Sequence, residues 1–244
     1  QNGYTIKRLR LISKSWTNNS IVQVFKYLEF LFKALIAIKR IKPKICHGHD
    51  PNGLLVAYCA KVFWGCKLIY DSHELWSDSI HSIGKKKFLY KIGREFEKLL
   101  IKKTDAVITV NQSIADIMIQ ENKIPSINIL RNMPSKSKNN STPDNFELGL
   151  PKCKFNLIYT GNVELGRGVA AVIEAFKSVH LDVGLIIIGR GSAYRNKMIE
   201  KVNTLKLDHR IKFINAVLPQ EVVNVCKLTD AGVAPIKNMC KSYY

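Results

Sequence analysis

The sequence predicts an α/β protein made of two facing doubly wound domains. Short apolar runs typical of buried strands alternate with longer segments whose apolar residues recur at helical spacing. Polar and glycine-rich motifs follow several of these strands, at the position where parallel-sheet enzymes bind their ligands. A hydrophobic content of 46% in 244 residues is enough for packed cores.

The first domain is predicted to span residues 1–133. Pro43 ends the first helical pattern, Asn52 and Gly65 are typical of the two ends of the next helix, and Asn111 is typical of a helix start. The expected elements are helix 21–41, strand 45–47, a helix between Asn52 and Gly65, strand 67–70, helix 86–102, strand 106–110, a helix over 114–119 and strand 127–130. This alternation indicates β-α-β units and therefore a parallel sheet.

Residues 134–152 are predicted to be a linker, because Pro, Ser, Asn and Lys dominate and residues 136–143 lack apolar side chains. A second doubly wound domain, residues 153–244, then follows. Its expected elements are strand 155–159, helix 169–179, strand 184–188, helix 194–205, strand 211–214, helix 220–227 and strand 231–234. We expect the strand ends of the two domains to face each other across a ligand-binding cleft.

The formal charge of +19 is concentrated in residues 1–103, which carry 20 Lys/Arg against 7 Asp/Glu. This surplus favours an anionic partner such as a nucleic acid, a membrane surface or a phosphorylated substrate. The sequence has no arginine-rich arm, zinc-finger spacing or RNA-binding aromatic motif, so nucleic acid is not the expected partner. The basic helix 86–102 is either an ordinary packed helix or an interfacial membrane helix.

The six cysteines form no C-x-x-C pair, which suggests a reducing compartment. No signal peptide is visible, and five charged residues interrupt the longest apolar segment, 21–41. We therefore expect a cytoplasmic protein without a membrane-spanning helix. Because the chain opens at Gln1 without a strand and glycine-rich turn, and stops soon after strand 231–234, we also expect both domains to be incomplete and the chain to be a fragment.

Two neighbouring strands of the first domain end in histidine motifs. His47, His49 and Asp50 follow one strand, and His73 and Glu74 follow the next. The His-x-His-Asp motif, with His73 as a further candidate, has three interpretations: metal ligands, groups that bind a substrate hydroxyl or phosphate, or side chains that satisfy local backbone groups. His73 is suited to stabilising a developing charge or moving a proton, and Glu74 is either its partner or a charge at a helix start.

Two glycine turns follow strands of the second domain. Gly161 and Asn162 lead to Arg167 and Gly168 at the start of a helix, which supplies the close backbone, the N–H groups and the cation that a diphosphate needs. The second turn is Gly189-Arg190-Gly191, followed by a capping serine. Neither turn is G-x-G-x-x-G, so a nicotinamide cofactor is not favoured. A plain glycine turn beside a surface arginine is the alternative.

Taken in order, these motifs resemble the family 4 glycosyltransferases, particularly those of bacterial surface-polysaccharide synthesis. The resemblance covers nearly the whole chain. The matching segments are residues 42–50 (KPKICHGHD), 68–76 (LIYDSHELW), 157–162 (LIYTGN) with Arg167-Gly168, and 186–191 (IIIGRG). The resemblance implies a retaining enzyme of the B type, with two facing Rossmann-like domains and a nucleotide-sugar donor as substrate. It implies no metal and no other cofactor.

The resemblance also implies roles for individual residues. His73 matches the histidine that stabilises the oxocarbenium-like transition state, and Arg167 the residue that holds the donor diphosphate. Asn162 replaces an arginine found in many members. The family's first strand and glycine-rich loop, and its Glu-x7-Glu element, are missing from the sequence. The fragment itself is therefore expected to be inactive.

The predicted function is transfer of a sugar from a UDP- or GDP-type donor to a lipid-linked or growing glycan, at the inner face of the cell membrane. In this hypothesis His47, His49, Asp50 and Glu74 line the acceptor side. The glycine turns Gly161–Gly168 and Gly189–Gly191, with their arginines, hold the diphosphate. Two other classes stay open: a metal-dependent hydrolase that uses His47, His49 and Asp50, and a non-catalytic basic module that binds a membrane or nucleic acid.

Overall fold

The computed structural model describes residues 3, 5–17, 19–75, 87–133, 149, 151–219 and 221–237. The chain divides into two compact units, the first ending at Asn132 and the second running from Met133 to Met239. Most of the predicted linker and the predicted start of helix 86–102 lie outside the described residues. Among the helices that are described, none has the length and apolar character needed to cross a membrane.

The first unit alternates helices with the strands of a parallel sheet. Its elements are α1 (Ser20–Ile41), β1 (Ile45–His49), α2 (Asp50–Trp64), β2 (Lys67–Ser72), α3 (Lys87–Ile101), β3 (Ala106–Thr109), α4 (Gln112–Asn122) and β4 (Asn128–Ile129). The strand order is β1-β2-β3-β4, and each neighbouring pair is parallel. The core lies between this sheet and its helices, with Leu54, Leu68 and Tyr70 fully buried.

Two helix ends of the first unit lie where the capping residues in the sequence predict them. The Asn111 side chain accepts a hydrogen bond from the Ile114 backbone N–H at 2.8 Å, and Gly65 ends α2 with a φ of 69°. Both predictions are confirmed. The predicted cap at Asn52 is wrong, because α2 begins at Asp50 and includes Pro51 in its first turn.

The second unit is also built on a parallel sheet. Its elements are β5 (Phe155–Thr160), α5 (Val169–Ala175), β6 (Val183–Gly189), α6 (Ala193–Thr204), β7 (Ile211–Asn215), α7 (Val222–Cys226) and β8 (Ala231–Gly232). The strand order is β7-β6-β5-β8. The chain therefore moves outward from β5 to β7 and returns to the other side of β5.

Alternate residues of β5 and β6 build a core on each face of this sheet. Leu185 and Ile187 pack on one face with side chains of α5 and α6, whereas Ile186 and Ile188 pack on the other with Val225 of α7. Both faces are covered, as the doubly wound prediction requires. Two helices are shorter than predicted, α5 ending at Ala175 and α7 at Cys226.

Candidate functional site

The carboxyl ends of β1 and β2 bring the histidine motifs of the first unit together. His47 and His49 are two residues apart on β1, so their side chains leave the strand on the same side. The parallel register places His49 opposite Asp71 of β2, and His73 follows β2 directly. The sheet thus fixes three imidazoles and one carboxylate within a small volume.

Asp71 is the centre of this cluster. Its side chain is only 9% exposed, and its Oδ2 atom lies 3.3 Å from His47 Nε2, 3.4 Å from His49 Nδ1 and 3.9 Å from His73 Nε2. His49 Nδ1 and His73 Nε2 are 2.9 Å apart, so one of these nitrogens donates a hydrogen bond to the other. The His49 ring stacks on both neighbouring rings. The arrangement can hold a proton, an anion or a metal ion.

Asp50 supports the cluster from the start of α2. It has a φ of 55°, and its Oδ1 atom accepts a hydrogen bond from the His73 backbone N–H at 3.3 Å. Asp50 thus positions the loop that carries His73. Glu74 is exposed, and its carbonyl oxygen accepts a hydrogen bond from the Ser72 hydroxyl at 2.8 Å.

Tyr70, which precedes Asp71 on β2, forms a buried hydroxyl–carboxylate pair with Glu97 of α3. The Tyr70 hydroxyl donates to Glu97 Oε1 at 2.5 Å, and Glu97 is 7% exposed. Burial raises the pKa of the Glu97 carboxyl, and nearby Asp50 raises it further. Burial and Glu97 likewise raise the pKa of the Tyr70 hydroxyl. The pair therefore favours protonated forms.

The metal-ligand interpretation of the His-x-His-Asp motif involves a different carboxylate from the one considered in the sequence. Within the described part of the chain, the group whose donor atoms lie within 4.8 Å of one another is His47, His49 and Asp71, not His47, His49 and Asp50. The start of α2 turns Asp50 toward the His73 backbone. Asp71 belongs to the segment 68–76, and no role for it follows from the sequence alone. The sequence feature that could have identified Asp71 as a site residue is a carboxylate within an otherwise apolar strand.

The second unit has its candidate site at the reversal of strand order between β5 and β8. Ligands of open parallel sheets bind at such a point, outside the carboxyl ends of the strands. A cavity of about 330 Å³ lies there. Its lining comprises Tyr159, Thr160, Gly161, Asn162, Arg167, Val233, Ala234 and Ile236. Three residues predicted to bind the donor therefore share one cavity.

Backbone geometry holds this loop in place. The Gly161 N–H donates to the Ile188 carbonyl at 2.9 Å, and the Tyr159 hydroxyl donates to the Asn162 carbonyl at 2.7 Å. Gly168 caps α5 with a φ of 73°. A Cβ atom at Gly168 would lie 1.5 Å from the Pro235 carbonyl oxygen, so the start of α5 packs directly on the chain beyond β8.

The second glycine turn, Gly189–Gly191, packs beside the first. Gly189 ends β6, and a Cβ atom there would lie 2.3 Å from the Gly161 carbonyl oxygen, so this glycine lets the two turns approach. Arg190 and Gly191 are exposed and are not among the described residues that line the cavity. Ser192 caps α6 by accepting a hydrogen bond from the Arg195 N–H at 3.0 Å, as predicted.

Comparison with solved structures defines the class of the fold. Sucrose-phosphate synthase from Thermosynechococcus elongatus matches 93% of this chain and 59% of its own, with a TM-score of 0.73 and 14% identity. Anabaena Alr3699/HepE in complex with UDP and glucose matches 86% of this chain and 55% of its own, with a TM-score of 0.60 and 14% identity. A Rickettsia africae glycosyltransferase matches 90% of this chain and 58% of its own, with a TM-score of 0.62 and 18% identity.

These likenesses show that the two units have the Rossmann-like fold of the B-type glycosyltransferases. The chain spans between 55% and 59% of the length of these three structures. A model of Glycosyltransferase Family 4 matches residues 9–133, just over half of the chain, and the chain belongs to this family. No curated protein sequence matches it significantly.

Proposed function

We propose that this protein acts in the transfer of a sugar from a nucleotide diphosphate donor to a hydroxyl group of a lipid-linked or growing glycan, with retention of configuration. The observation that carries the proposal is the cavity at the β5/β8 switch point, which combines glycine backbone with Arg167. Its volume of about 330 Å³ suits part of a nucleotide sugar. The neighbour Alr3699/HepE has been solved in complex with UDP.

Arg167 is the proposed cation for the donor diphosphate. A guanidinium forms paired hydrogen bonds to phosphate oxygens and stays charged at any physiological pH. The α5 macrodipole adds little, because this helix has only seven residues. Arg167 therefore stabilises the departing diphosphate, Gly161 and Gly168 keep the backbone close to it, and Asn162 adds an uncharged amide. The transfer step itself then needs no metal or other cofactor.

His73 is the proposed catalytic residue of the first unit. Its ring is partly exposed, with 44% of the side chain open to solvent, and its hydrogen bond to His49 fixes the ring orientation. A positioned imidazole can stabilise charge that develops on a sugar ring. The surrounding polar groups, His47, Asp50 and Glu74 among them, provide partners for acceptor hydroxyls. This assignment follows the family resemblance and the cluster geometry.

An anionic membrane surface is the proposed cellular location of the acceptor. Helix α1 leaves large apolar side chains exposed, namely Ile21, Val24, Phe25, Leu28, Phe32 and Ile36. A groove beside the same helix is lined by five cations, Lys7, Arg8, Arg10, Lys33 and Arg40. Apolar side chains flanked by cations favour binding at an anionic interface. Cosedimentation with vesicles of anionic or zwitterionic lipid tests this binding, which should require the anionic lipid and weaken with salt.

The donor site is tested by isothermal titration calorimetry of UDP and GDP without metal. We expect saturable binding of at least one of them, and a loss of affinity of about ten- to hundredfold in Arg167→Ala, since hydrogen bonds to charged groups contribute about 1.5–3 kcal/mol. Arg167→Lys should lose less. Arg131→Ala, which removes an exposed arginine from the first unit, is the matched control and should bind normally. Binding of neither nucleotide by folded protein, or equal affinity in Arg167→Ala, would overturn the donor-site assignment.

A further inference from the structure

The Asp71 carboxylate has an unusual set of neighbours. It is 7% exposed as a residue, and in the described part of the chain the basic groups within 4.0 Å of it are all imidazoles, those of His47, His49 and His73. Lysine and arginine, the ordinary counter-ions of a buried carboxylate, are not among them. A buried charge is stable only when it is paired or coordinates a metal ion. All three imidazoles are partly exposed, with 39%, 56% and 44% of the side chains of His47, His49 and His73 open to solvent.

The two separations between the Asp71 carboxylate and the imidazoles of His47 and His49 match those of metal ligands. Four ligands about 2.0–2.1 Å from a tetrahedral zinc ion lie about 3.3–3.4 Å from one another. Asp71 Oδ2 lies 3.3 Å from His47 Nε2 and 3.4 Å from His49 Nδ1. The three donor atoms all lie within 4.8 Å of one another. Imidazole and carboxylate ligands together suit zinc and similar divalent transition-metal ions.

The sheet supplies the rigidity that a metal site needs. His47 and His49 belong to β1 and Asp71 to β2, and the parallel register pairs His49 with Asp71. All three ligands therefore stand on hydrogen-bonded strands rather than on loops. The side chains of His47 and His49 are 39% and 56% exposed, which leaves room for ring rotation and for a solvent ligand.

We infer that His47 Nε2, His49 Nδ1 and Asp71 Oδ2 form a binding site for one divalent transition-metal ion, with zinc the best match, and leave a fourth coordination position open. This inference goes beyond the proposed transfer reaction, whose diphosphate charge is met by Arg167. Sites with three protein ligands and one open position bind water or a substrate oxygen. The open position therefore suits a hydroxyl or phosphate oxygen that reaches the first unit.

Metal binding has a consequence for His73. A nitrogen that binds a metal ion cannot also take part in a hydrogen bond in the ring plane, because it has one in-plane orbital. His49 Nδ1 is the nitrogen that contacts His73 Nε2 at 2.9 Å. The metal ion and the His49–His73 hydrogen bond therefore exclude each other. The loaded protein should have a reoriented His73 ring.

The test is a titration of the whole, untagged protein with Zn²⁺ by calorimetry and with Co²⁺ by visible absorption, in the absence of any nucleotide. We expect one ion per chain and a four-coordinate Co²⁺ spectrum. Each of the variants His47→Gln, His49→Gln and Asp71→Asn should lose more than about 100-fold in affinity, since even the loss of an outer partner of a ligand costs about 10- to 100-fold. Histidine-selective NMR should show the His73 ring signal move on loading.

A matched control tests whether any exposed histidine beside a carboxylate would bind the ion. His180 and Asp182 form such a pair on the second unit, with the Nδ1 and Oδ2 atoms 3.9 Å apart. His180→Gln should bind the metal ion with unchanged affinity. If Asp71→Asn fails to fold, the exposed His47→Gln and His49→Gln variants decide the question. Absence of saturable binding, or binding that these two variants retain, would overturn the inference. Neither result depends on nucleotide binding, so failure of this inference can be distinguished from failure of the donor-site assignment.

Discussion

Gly168 gives the sharpest structural prediction, because an alanine there conflicts with both the backbone and its neighbour. Its φ of 73° lies in the left-handed region, which costs a residue with a Cβ atom about 1–2 kcal/mol. The new Cβ atom would lie 1.5 Å from the Pro235 carbonyl oxygen, which would have to retreat by a similar distance. Forced repacking of this kind costs about 1–3 kcal/mol. Gly168→Ala should therefore destabilise the second unit by about 2–5 kcal/mol.

Hydrogen exchange measured by mass spectrometry is the suitable assay, because it reports on each unit separately. The three tryptophans, at positions 16, 64 and 76, all precede the second unit in the sequence, so their fluorescence provides an internal control that should not change. Gly191→Ala is the matched variant, since a Cβ atom there has nothing within 4 Å, and its effect should stay within about 0.5 kcal/mol. Normal protection of β5 and β6 in Gly168→Ala, or equal loss in Gly191→Ala, would refute the reasoning.

Three further predictions concern the first unit. Burial raises the pKa of the Glu97 carboxyl above its ordinary 4.5, so the contribution of Glu97 to stability is greatest below pH 4.5 and falls as the pH rises through the raised pKa. In Glu97→Gln the side-chain oxygen still accepts a hydrogen bond from Tyr70, so the free energy of unfolding of this variant, measured in urea, should increase relative to that of the wild type as the pH rises. A difference that stays constant with pH would contradict this prediction. Burial raises the pKa of the Cys46 thiol to about 12, so a thiol reagent at pH 8 should modify Cys46 only after unfolding, as peptide mapping would show. Asn111→Ala should lower the free energy of unfolding by about 1 kcal/mol through loss of the α4 cap, and an unchanged urea midpoint would disprove the role of the cap.

Local features of the fold could be predicted from the sequence because they depend on few neighbouring residues. The caps at Asn111 and Ser192 and the glycine at the end of α2 are examples, since each acts within one helical turn. The alternation of strands and helices likewise gave two parallel sheets. The end of α5 at Ala175 was not predictable, because apolar spacing continues to residue 179 and tertiary packing decides where the helix stops.

Contacts between strands could not be read from the sequence. Asp71 belongs to the histidine cluster because the register places it opposite His49, and that register is a property of the sheet. The position of β8 beside β5 likewise creates the switch point, and with it the cavity at Arg167. Sequence reasoning found the residues that carry the chemistry. Their grouping required the topology.

The central claim, that the second unit binds a nucleoside diphosphate at the β5/β8 switch point, is tested most directly by NMR. In a titration of ¹⁵N-labelled protein with UDP or GDP, we expect saturable shifts of the Gly161, Asn162 and Gly168 amides for at least one nucleotide. Arg167→Ala should need about ten- to hundredfold more of that nucleotide for the same shifts. Shifts confined to the first unit, or no saturable shift with either nucleotide, would contradict it.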